Sequence, residues 1–126
     1  MALQAITTFR AEPTSELGRA AGGLIFDFVE TSPAVLVNVT NKALSFLSNR
    51  AISLADRSTL TAAFLVGNVD AQLLRGEKKD NPYAGLLQVI DTYRQMQRKN
   101  PRLKIAEVDQ FIELEKRGAL KAYVSL

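Results

Sequence analysis

The chain contains no histidine, no cysteine and no tryptophan. Without Cys or His, the common zinc sites have no ligands. A thiol nucleophile, a disulfide framework and a Ser-His-Asp triad are excluded on the same ground. The side chain that titrates nearest neutral pH is missing too, which removes histidine acid/base chemistry and histidine pH switching. Long apolar runs are also lacking. The longest, Ala62-Ala-Phe-Leu-Val66, falls far short of the roughly 20 residues of a membrane helix. Residues 1–9 lack the basic region and apolar core of a secretory signal, so the expected location is the cytoplasm. Asn38-Val39-Thr40 fits a glycosylation pattern that has no meaning there.

What remains is ordinary globular material. Apolar residues make up 47% and charged residues 23% of 126 residues, enough for one domain with its own core and too apolar for wholesale disorder. The net charge of +3 is uneven. Residues 1–74 carry five basic and six acidic side chains, whereas residues 75–126 carry eleven and seven. The densest stretch holds Arg94, Arg98, Lys99, Arg102 and Lys104 with no acid between them. Such a cluster points towards an acidic partner.

Punctuation divides the chain into helical segments, with no repeat and no sustained heptad. After Pro13, Thr14 suits an N-cap and Glu16 the first turn of a helix through Val29. Gly18 and Gly22, one turn apart, allow another helix to come close. Leu24–Glu30 is rich in strand-formers, which weakens the helical pattern there. Ser32-Pro33 then opens a stretch with two readings. Leu36, Val39, Ala43, Phe46 and Leu47 form a helical stripe running to Arg50, and this is preferred. Val35, Val37 and Val39 alternate as in a strand, so a β-hairpin over 24–40 is the alternative.

Ser53-Leu-Ala-Asp56 has capping-box spacing, and Gly76 stops the helix it starts. Apolar residues cover so much of 54–75 that this helix is expected at the centre of a bundle. Asn81-Pro82 caps the next helix. Its inner face is read as Tyr83, Leu86, Leu87, Ile90, Tyr93 and Met96; Gln88, Asp91, Thr92, Gln95 and Lys99 are read as outward. A final helix from about Leu103 to Arg117 precedes Leu120, Ala122 and Val124, whose period of two suggests a short extended tail over 119–126. Leu3, Ala5, Thr7 and Phe9 alternate likewise. The expected fold is mainly α: about five helices, orthogonal or bundle-like, in a single domain 1–126 with an extended C-terminal tail. The alternative is α+β with the 24–40 hairpin.

Candidate chemistry is sparse. Glu107, Asp109, Glu113 and Glu115 read as a solvated helix face, with Glu113 in reach of Lys116 or Arg117. Asp27, between Phe26 and Phe28, reads as reaching the surface or pairing with an arginine rather than as a buried acid. Asn68 and Asp70 interrupt the most apolar helix and read as satisfied hydrogen-bonding groups. Gly76-Glu77-Lys78 lacks the first glycine of a phosphate loop. No catalytic, cofactor-binding or metal-binding set emerges. The expectation is a non-enzymatic cytoplasmic module for protein–protein interaction or assembly, with self-association. The alternative is a nucleic-acid-associated accessory protein using Arg94, Arg98, Lys99, Arg102 and Lys104 on phosphate backbones.

Overall fold

The computed structural model describes residues 2–125. Six α-helices occur among them: α1 (Ala2–Ala11), α2 (Glu16–Thr31), α3 (Leu54–Arg75), α4 (Pro82–Lys99), α5 (Ala106–Lys116) and α6 (Leu120–Ser125). A single 3₁₀ turn, Ser45–Ser48, interrupts the long connection between α2 and α3. The described residues contain no strand, so the 24–40 hairpin is overturned.

The central pair is α3 and α4, whose packing is the most extensive in the fold. Glycine on each helix permits it. A Cβ on Gly67 of α3 would run into the Ala84 carbonyl and lie 2.7 Å from Gln88 Cβ. A Cβ on Gly85 of α4 would lie 2.6 Å from the Phe64 ring. Neither neighbour has free space to move into, because Phe64 is fully buried and the carbonyl belongs to helix backbone. From Thr59 to Val69, α3 is buried almost all round, as its composition implied, except for Thr61.

The helix ends follow their capping chemistry. Ser53 Oγ accepts from the Asp56 amide at 3.1 Å and Asn81 Oδ1 from the Ala84 amide at 3.1 Å. Gly76 closes α3 with φ 63°, a left-handed conformation that suits glycine. One cap is displaced by a residue: Ser15, not Thr14, accepts from Gly18 N at 3.0 Å.

Four expectations need correction. The preferred helix over 33–50 does not form. Its β-branched run disfavours a helix, and α3 offers its backbone other partners. Gln72 grips Leu36 like a neighbouring strand, accepting from its amide at 2.9 Å and donating to its carbonyl at 2.7 Å. Asn68, fully buried, donates to Asp80 at 2.7 Å and accepts from the Asn81 amide at 2.9 Å and from Gln72 at 2.8 Å. Asn38 N also donates to Asp80, so one polar knot fastens the 35–39 segment and the α3–α4 loop to α3.

The C-terminal tail is helical, not extended. Leu120 and Val124 are buried while Ala122 is exposed, so the burial follows i, i+4 rather than period two. Gly118, with φ 70°, starts α6 almost at once after α5. Leu126, which the tail included, lies outside the described residues. The alternating N-terminus is also a helix, burying Ala5, Ile6 and Phe9. Finally, Gln88 and Thr92 of α4 are buried and Leu87 is exposed. Gln88 faces Gly67, and its amide oxygen accepts from Arg10 Nε at 2.7 Å.

Replacing Gly67 with Ala raises intrinsic helix propensity by about 1 kcal/mol. The overlap with Ala84 and Gln88 outweighs that gain, and a net loss of about 1–3 kcal/mol is expected. Urea unfolding of Gly67→Ala checks it; an unchanged or higher midpoint contradicts the glycine-dependent crossing.

Candidate functional site

Arg94, Arg98 and Lys99 sit in the last two turns of α4, and Arg102 and Lys104 in the link to α5. All five are exposed, and none makes an ion pair among the described residues. They do not converge on one cleft. Arg94 borders a cleft with Ile112 and Lys116 of α5. Arg98 and Lys99 border another with residues 11–15 of the α1–α2 turn. Lys99 Nζ donates to Thr14 Oγ1 at 2.9 Å, so it also fastens that turn to α4.

Most half-buried carboxylates already have structural partners. Asp70 takes Arg10 at 2.8 Å, joining α1 to α3. Glu107 accepts from Asn49 at 3.0 Å. The exposed Glu113 pairs with Arg117 at 3.5 Å. The Tyr93 hydroxyl donates to Asp109 at 3.0 Å while accepting from Ile105 N at 2.9 Å, which sets α5 on α4. The Tyr83 hydroxyl lies 2.9 and 3.0 Å from the two Glu115 oxygens. Asp27 is exposed.

The most developed apolar feature was not foreseen. Ala55, Ser58, Thr59 and Ala62, spaced i, i+3, i+4 and i+7, present a small-residue face of α3. Opposite lie Arg19, Gly22, Gly23 and Phe26 of α2, with Phe9 and Pro13 completing the lining. Between them opens a cleft of about 350 Å³. Phe26 and Ser58 also line a second cleft of about 200 Å³, with Leu47, Leu54, Arg57 and Thr61. The two clefts adjoin across Phe26 and Ser58 and together form a groove on the α2–α3 face. Its apolar rim is exposed: Phe26 by 39%, Leu47 by 40% and Leu54 by 73%.

Glycine shapes this groove. Gly22 packs close to α3, where a Cβ would lie 3.1 Å from Ala62 Cβ. A Cβ on Gly23 would meet open space. The charged side chains lining the groove are Arg19 and Arg57, and neither makes an ion pair among the described residues. Arg57 Nη1 reaches the Leu47 carbonyl only at 3.4 Å, and its Nε is buried with no acceptor. Of these residues only Gly22 stands out in the sequence, as a point of close helix approach. That the two faces stand opposite each other is not legible there.

Both phenols on α4 hold their protons more tightly than the ordinary value of 10.0. For Tyr83 the main cause is the hydrogen bond to Glu115; for Tyr93 it is burial, with Asp109 adding to it. The unfolded chain therefore loses these protons first, and stability declines as pH rises above about 10. A Glu115→Gln variant is expected to return Tyr83 towards its ordinary value in an absorbance titration of the phenolates. An unchanged titration contradicts the assignment. In comparisons with known proteins, no family model, curated protein or solved structure matches the chain.

Proposed function

We propose that this protein is a non-enzymatic protein-interaction or assembly module that presents the α2–α3 groove to a protein partner. The supporting observation is the groove itself: two linked clefts with Phe26, Leu47 and Leu54 exposed along the rim. Exposed apolar side chains scattered singly need no explanation, whereas a concave run of them is what a partner's side chains fill.

Site-specific photocrosslinking in cells tests this reading. A photoreactive residue at position 54 is expected to give discrete adducts, and one at Leu74, exposed on α3 outside the groove, is not. Gly23→Leu fills the groove without harming α2, because leucine is the better helix former. It is expected to abolish the adducts. An adduct of twice the 13.8 kDa chain mass reads as self-association, and one of another mass as a different protein. Adducts absent at 54, or unchanged by Gly23→Leu, contradict the proposal.

A second reading rests on the five exposed cations at the end of α4. Arg94, Arg98, Lys99, Arg102 and Lys104 would contact phosphates weakly, without sequence preference. Fluorescence anisotropy with a labelled duplex at low salt is expected to show binding that falls steeply with added salt and is lost when all five become alanine. No binding, or binding insensitive to those changes, removes this reading.

A further inference from the structure

We propose that the α2–α3 groove takes an amphipathic helix from another protein, with an acidic side chain beside its apolar stripe. This builds on the reading of the groove as a partner site. Two adjoining clefts that share Phe26 and Ser58 as a wall suit two apolar side chains one turn apart on a helix, at i and i+3 or i+4. The small side chains of Gly23, Ala55, Ser58 and Ala62 leave room for large apolar groups.

The charges decide the rest. Arg19 lines one cleft and Arg57 the other, and no acidic side chain lines either. A carboxylate arriving with the partner meets two guanidinium groups that make no ion pair among the described residues, and guanidinium takes a carboxylate in a bidentate fork. A second copy fits less well. A two-fold pairing of like grooves places Arg19 and Arg57 of both copies at one interface with no carboxylate among the lining residues.

Selection from a phage-displayed library of 16-residue helical peptides, panned on the full chain, tests the inference. The expected winners carry apolar residues at helical spacing with Asp or Glu enriched beside them, and lose binding to Gly23→Leu. A synthetic winner should bind Arg57→Glu at least tenfold more weakly, and Arg57→Gln several-fold more weakly. Exchanging its acid for Lys should recover binding to Arg57→Glu. Circular dichroism confirms that each variant is folded. Groove-dependent winners without acid enrichment, or with affinity unaffected by both Arg57 variants, overturn the charge inference and leave the groove reading standing. An absence of Gly23→Leu-sensitive peptides overturns both. A dimer of the unliganded chain that Gly23→Leu dissolves, seen by light scattering, assigns the groove to a second copy and overturns the inference.

Discussion

The close approach of α3 and α4 is the constraint on which the other contacts rest. Gly67 and Gly85 remove the two Cβ atoms that would hold the helices apart, and Phe64 occupies the space against Gly85. With the axes this near, Gln88 comes within reach of Arg10 from α1, and Arg10 then spans to Asp70 on α3. The α1–α2 hairpin is thereby fixed to both central helices by one guanidinium. The other side of α4 receives α5 through the Tyr93 hydroxyl, which joins Asp109 to the Ile105 backbone.

Such close packing leaves polar side chains inside, and those between α3 and its neighbouring loops are partnered. Asn68 lies fully buried beside apolar neighbours, yet its amide has three partners in Asp80, Asn81 and Gln72. Gln72 in turn satisfies the backbone of Leu36, standing in for the strand that the 35–39 segment lacks. A buried polar group without partners destabilises by about 1–3 kcal/mol, so a knot of this kind is stabilising only when it is complete. It also explains how a β-branched segment is held outside any helix in a helical protein without a sheet among the described residues.

The surface divides into two unlike regions. One is the basic end of α4, where cations favour the helix dipole whether or not a ligand binds. The other is the α2–α3 groove, where exposed Phe26, Leu47 and Leu54, and Arg19 and Arg57 without an ion pair among the described residues, have no comparable structural account. That contrast is why the groove, rather than the denser charge cluster, carries the functional proposal.

Local chemistry made much of the fold legible. Ser53, Gly76, Asn81-Pro82 and Gly118 mark helix ends because their side chains or φ preferences act within one turn. The apolar circumference of 54–75 identified the central helix for a similar reason. Short segments were misread where two periods fitted equally: Leu120 and Val124 satisfy both two-residue alternation and i, i+4 spacing, and only packing selects the helix. Residues 33–50 had a helical stripe, but Gln72 lies 36 positions away in sequence from the Leu36 backbone it binds. Likewise, Gly22 of α2 was legible as a point of close approach, and the small-residue face of α3 that it meets was not. Sequence alone determined what depends on near neighbours: the two long helices α3 and α4 with their caps, and the absence of histidine and cysteine chemistry. Tertiary structure decided what depends on distant segments meeting: the partner of each buried polar group, and the apolar face left uncovered.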